Sequence, residues 1–224
     1  GLKGVPRGTI KSLRVITYHF AYRDMVTNPN TIGVDGPWDI KRVLGTVPVY
    51  KDGSARFRIP ANTPVSLQPL DGEGKAMQLM RSWMTAMPGE TLQCAGCHES
   101  QNSAPLTGRT LALEGSSDEI TPWYGQTRGF SYRREVQPVI DRYCVRCHDG
   151  NKLIPDLRGD VDAAEYGTAL PWQRSPHAGK FSLGYTQLHR FVRRPGSESD
   201  LHVLEPMEFH ADTTELVQLL QKGQ

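Results

Sequence analysis

Hydrophobic and polar positions alternate in short runs over the first third of the chain. Leu13, Val15, Ile16, Tyr18 and Phe20 form a β-branched and aromatic run, which predicts a strand. Val47-Pro48-Val49-Tyr50 leads into Asp52-Gly53, a hairpin turn signal. Beyond the turn, Ala55, Phe57 and Ile59 alternate with Ser54, Arg56 and Arg58, the period of a strand with one buried face. Thr63 to Leu70 predicts another strand. Asp71-Gly72-Glu73-Gly74 predicts a turn, and Lys75 to Met80 a return strand. Short strands at this spacing predict an antiparallel β-sandwich-like domain, with a boundary placed at residues 1–128.

The period changes near Ser131. Val136, Val139, Ile140 and Tyr143 recur at three and four residues and predict one apolar helix face that runs directly into Cys144. Pro138 suits the first turn of that helix, where its missing N–H costs little. Asp212-Thr213-Thr214-Glu215 reads as a capping box with Asp212 as N-cap. Leu216, Val217, Leu219 and Leu220 then supply an apolar face, and Gly223 a stop. Gln101 to Gly108 and Glu114 to Glu119 read as loop. Residues 129–224 are therefore expected to form a loop-rich, partly helical, cytochrome c-like domain, giving an α+β chain in two domains.

Composition adds three constraints. Hydrophobic residues make up 38% of the 224, with 22 Gly and 16 Pro, so a bound prosthetic group would supply apolar bulk that the side chains lack. A net charge of +2 with no long run of one sign gives no reason to expect nucleic acid. No apolar stretch approaches the roughly 18 residues of a membrane span. The chain starts at Gly1 and ends on Lys222-Gly223-Gln224 just after a helical pattern, so it is expected to be processed or part of something longer.

All 4 cysteines lie in two stretches, Cys94-Ala95-Gly96-Cys97-His98 and Cys144-Val145-Arg146-Cys147-His148. Cysteines at i and i+3 present two sulfurs to one side of a turn, where they can form thioethers with the vinyl groups of a haem. Histidine directly after the second cysteine delivers an imidazole nitrogen to the iron. A structural zinc site would pair its two C-x-x-C units about 15–20 residues apart. Here 46 residues separate Cys97 from Cys144, and zinc leaves both histidines unexplained. A redox dithiol needs no histidine at that place. Two covalent haem c groups are thus expected, with His98 and His148 as iron ligands. Covalent attachment on thiols kept reduced until haem arrives implies the bacterial periplasm or an equivalent lumen.

The remaining ligand of each iron decides between carrier and catalyst. His210 is the first candidate, two residues before the predicted N-cap Asp212, with Met207 nearby as a competing ligand. His202 is second, and His19, within the first apolar run, is third. Met77, Met80, Met84 and Met87 are expected mainly to fill core space.

Several stretches together resemble the α subunits of hydrazine synthase and their haem-binding relatives. They are Tyr18-His19-Phe20-Ala21-Tyr22-Arg23-Asp24-Met25, Gly36-Pro37-Trp38-Asp39-Ile40-Lys41-Arg42, the run from Gly53 to Pro64, Met80-Arg81-Ser82-Trp83, Pro88-Gly89-Glu90, and His210-Ala211-Asp212-Thr213. The resemblance implies a β-propeller, then a middle domain with one haem c, then a C-terminal domain with a second; this chain would match the last two. It implies a reactive first haem on Cys94, Cys97 and His98, and an electron-passing second haem on Cys144, Cys147 and His148. In the synthase a tyrosine just after the first motif serves as axial ligand, freeing the motif histidine for a further metal ion. Glu99-Ser100-Gln101-Asn102-Ser103 supplies no tyrosine, so ligation by His98 is expected here.

The function expected from these residues is a di-haem c-type cytochrome in electron transfer, as a subunit or fragment of a larger extracytoplasmic redox complex. The alternative is a hydrazine-synthase-like oxidoreductase subunit whose first haem acts on a small nitrogen compound. Partners expected on either reading are other redox subunits or a β-propeller portion, within an oligomeric complex. The resemblance implies a bacterial, anammoxosome-like compartment.

Overall fold

The structure is a computed structural model, described here for residues 2–19, 33, 40–96, 108–152, 154–163, 181–193 and 204–223. The chain divides into two compact units. One contains Gly1–Tyr18, Lys41–Arg128 and His202–Thr213; the other contains His19–Ile40, Gly129–Leu201 and Thr214–Gln224.

The first unit is built on one three-stranded sheet of β1 (Ser12–His19), β2 (Ile40–Pro48) and β3 (Val65–Leu70), in the order β2-β1-β3. β1 and β3 run antiparallel, from Ser12 opposite Leu70 to Thr17 opposite Val65. As the central strand, β1 buries Val15, Ile16 and Thr17 in succession, which an alternating edge strand would not do. Val15, Val47 and Val65 form the core, packed by Leu13, Leu44, Phe57, Ile59, Leu67, Met84 and Ile120. Residues Gly45 and Thr46 come so close to the segment ending at Thr121 that a Cβ on Gly45 would collide with the Thr121 carbonyl. Paired backbone bonds of 2.9 Å between Thr46 and Thr121 fix this approach.

The α+β class is present, with an antiparallel sheet first and helices later. Among the described residues there is one sheet, so the expected sandwich is corrected to a single layer with isolated bridges. The reason lies at residues 54–59. The Asp52-Gly53 turn forms, but the chain beyond it does not return along β2. Its backbone bonds go instead to the loop at Asp118, which donates to the Arg56 carbonyl at 2.8 Å and accepts from the Arg58 N–H at 3.2 Å. The predicted alternation survives without the ladder: Phe57 and Ile59 face the core, while Arg56 and Arg58 are exposed. The return at Lys75–Met80 likewise amounts to one bridge, between Leu70 and Ala76.

In the second unit a π-helical turn, Tyr132–Val136, precedes α1 (Gln137–Tyr143), with Pro138 in the first α turn as expected. α2 (Leu183–His189), not foreseen, is capped by the Ser182 hydroxyl, which accepts from the Tyr185 N–H. α3 (Glu215–Gln221) ends at Gly223, whose φ of +72° suits glycine. The predicted capping box does not form: Thr214 is the N-cap, and the Asp212 carboxylate accepts from Lys75 Nζ at 2.8 Å. The predicted face of α1 is also corrected. Val139 and Tyr143 are exposed, and the residue buried is Gln137. No helix among the described residues is long and apolar enough to cross a membrane.

Candidate functional site

The second cysteine motif grows out of the end of α1. Cys144 closes the helix, its N–H donating to the Ile140 carbonyl at 2.8 Å. The N–H groups of Cys147 and His148 both donate to the Cys144 carbonyl at 3.0 Å. That tight turn makes the backbone carry two thiols one turn apart and then the imidazole. Cys144 is half-buried and Cys147 exposed, and neither is in a disulfide. Burial pushes the Cys144 thiol up, the opposite of what a reactive redox dithiol requires.

His148 is oriented by its own loop. Its Nδ1 lies 2.8 Å from the Pro155 carbonyl. A carbonyl only accepts, so Nδ1 carries the proton and Nε2 presents a lone pair. The His148 carbonyl in turn accepts from the Leu157 N–H at 3.0 Å, closing the loop between them. Arg158 donates to both Asp156 oxygens, and this pairing, acting against burial, holds the Asp156 carboxyl below its ordinary range. On α1, Val139 and Tyr143 stand one turn apart and form an exposed apolar strip on the helix that Cys144 closes. Two unbridged thiols, an imidazole hydrogen-bonded through Nδ1, and an apolar strip on the helix before them fit haem c.

The first motif is described as far as Gly96; Cys97 and His98 lie outside the described residues. Cys94 is an exposed free thiol. The chain reaches it through exposed Trp83, Met87 and Leu92, all apolar. Met77 is buried and Met84 packs on the core, so these two fill space as expected, whereas Met87 does not.

The candidate ligands for the open iron positions are spread apart in sequence and surroundings. His210 is 3% exposed in the first unit. Its Nδ1 accepts from the Asp212 N–H at 3.3 Å, and its Nε2–H donates to Asp71 at 3.2 Å. Burial pushes the Asp71 carboxyl up, but donors from Lys75, His210 and Glu73 outweigh it and hold it low. Ligation by His210 would require one of these ring bonds to be given up. His19 ends β1 and is half-buried, and His202 lies outside the described residues. Among the described residues no group of three or more His, Cys, Asp or Glu side chains is arranged to hold a metal ion.

Sequence reasoning missed the residues that orient His148. Pro155 acts through a carbonyl, which every residue has, so its identity gave no signal.

Comparison with known proteins gives the class first. Residues 8–99 match the family model described as the hydrazine synthase alpha subunit middle domain, and the chain resembles that family. The particular relative is the hydrazine synthase subunit alpha of Kuenenia stuttgartiensis, 23% identical over 196 residues, covering 62% of this chain and 24% of that protein. The solved Kuenenia stuttgartiensis hydrazine synthase shares the fold with a TM-score of 0.64 at 19% identity, over 87% of this chain and 31% of the matched one. The chain thus spans well under half the length of the relatives it matches.

Proposed function

We propose that this chain is the haem-bearing part of a hydrazine-synthase-like redox subunit. Cys94, Cys97 and His98 hold a first haem c, and Cys144, Cys147 and His148 a second in a cytochrome c-like unit. The first haem is the reactive one, open to a small nitrogen compound, and the second relays electrons. When bound, each haem supplies a one-electron iron couple and, where a position is open, a site for a small ligand. The chain's own residues anchor the porphyrin edge, present the His148 Nε2 lone pair and keep the imidazole from turning. The subunit works in an extracytoplasmic compartment with other redox subunits or a β-propeller portion.

The observation that carries this reading is the reach of the family match. Residues 8–99 run through Cys94 and Cys97 to His98, so the matched segment itself contains the first attachment motif. A second reading, a pure electron carrier, draws on the absence of tyrosine from Glu99 to Ser103.

The test is spectroscopic. Intact mass of the native chain is expected to show two haems, and the Cys144→Ser/Cys147→Ser variant one. EPR of the native protein is expected to show one high-spin haem that binds NO and one low-spin haem. Two low-spin haems inert to NO would transfer the conclusion to the carrier reading, and a native mass without haem would end both.

A further inference from the structure

Gln137 is a polar side chain only 5% exposed, placed at the start of α1. Its Nε2 donates to Asp141 Oδ1 at 2.7 Å and to the Leu157 carbonyl at 3.0 Å, using both amide hydrogens. Both partners are acceptors there, so the amide nitrogen must face them and no flip of the group is available. Its Oε1 is buried with no hydrogen-bond partner. An orphaned buried acceptor is destabilising. Retaining the amide at that cost points to what its two donors hold.

Leu157 is the link. Its carbonyl is fixed by Gln137, while its N–H is bonded to the His148 carbonyl at 3.0 Å. Two residues earlier, Pro155 offers the carbonyl that takes the His148 Nδ1–H. The same strip of chain is closed from below by Gly159. A Cβ there would lie 2.5 Å from Gln137 Cγ and Cδ, so the amide is seated directly on that glycine. From α2, the Gly184 N–H donates to the Arg158 carbonyl at 2.9 Å. Residues 155–159 are thus gripped by α1, by the motif turn and by α2.

We infer that Gln137 is a positioning residue for the haem ligand His148: by pinning Leu157 it fixes the Pro155 carbonyl and so sets how strongly the imidazole binds iron. This rests on the haem reading above. A firm Nδ1–H···O bond makes the imidazole a better electron donor and favours ferric iron. Slackening it favours ferrous iron.

The experiment is a redox titration of the haem-loaded chain, with the first haem as internal reference. Gln137→Met keeps the shape and removes both donors. Gly159→Ala keeps the amide and displaces it. In each variant that folds, the reduced-to-oxidised ratio of the second haem at a fixed potential is expected to rise severalfold, below the roughly 10–100-fold that loss of a direct outer-shell partner costs in metal affinity. The first haem should not move. A ratio unchanged within about twofold, with haem still attached, overturns the inference and leaves the haem reading standing. So does failure of both variants to fold, since Gln137 would then support the unit rather than the imidazole. A native chain without haem on Cys144 and Cys147 overturns both.

Discussion

The two units solve the problem of an interior differently. The first closes on aliphatic side chains, with Val15, Val47 and Val65 at 0–1% exposure and seven further apolar residues packed against them. In the second, the buried residues include Gln137, Ser182 and Thr186 beside Leu157, Ala163 and Leu188. Among its described residues, Phe130, Val139 and Tyr143 are each at least half exposed. The first unit therefore draws its cohesion from hydrophobic burial, whereas the second is organised by directed hydrogen bonds around one loop. A covalent haem laid along Val139 and Tyr143 would give the second unit the apolar interior that the first makes from its own side chains.

The largest expected effect follows from that difference. In Cys144→Ser/Cys147→Ser the second unit should lose its cooperative thermal transition, followed by helical circular dichroism, while the transition of the first unit persists. An unchanged second transition would mean that its side chains suffice, and the contrast would collapse. The next effect lies in the first unit. Val65→Ala removes two methyl groups from a site with 0% exposure and should cost about 2–3 kcal/mol in urea unfolding of the first unit, without altering the second unit's transition.

The smallest effect separates the units by acid. The Ser54 hydroxyl first, and then the Leu111 N–H, hold the Asp52 carboxyl below its ordinary range. A carboxyl lowered on folding contributes stability above its unfolded pKa and loses it as pH falls through the folded value. Asp52→Asn should therefore flatten the acid limb of the first unit's stability below about pH 4. The second unit should keep its own acid slope from Asp149 and Asp156, which Asn151 and Arg158 hold low. Equal flattening in both transitions would show that the units unfold as one.

Much of this was legible in the chain, for identifiable reasons. The β-branched and aromatic run placed β1, and period two placed the inward faces of Phe57 and Ile59, because burial alternates there without a ladder. It could not reveal that residues 54–59 pair with Asp118, a choice made by tertiary contacts. The shift to a helical period located α1 and its run into Cys144, yet mistook its buried face. Val139 and Tyr143 are apolar, and periodicity cannot distinguish a side chain packed on protein from one standing beside an attachment motif. Asp212 had the right type and spacing for a cap, but Lys75, 137 positions away, claimed its carboxylate. The cysteine spacing implied a helical turn at Cys144–Cys147, and a tight turn is there. The group that holds the His148 Nδ1–H is a backbone carbonyl, which spacing alone could not single out.

The segment 204–213 carries a topological consequence. Leu204 accepts from Gln78, Met207 donates to the Met77 carbonyl, His210 bonds Asp71 and Asp212 takes Lys75. The polypeptide leaves the first unit after residue 128 and comes back to it at residue 202. No single proteolytic cut can therefore release the two units as intact pieces, and during synthesis the early-made sheet must wait for this late strap. Contacts so distant in sequence close slowly. A nascent chain thus has an interval in which the loop after Cys144 is already made while the fold that began first is still unfastened.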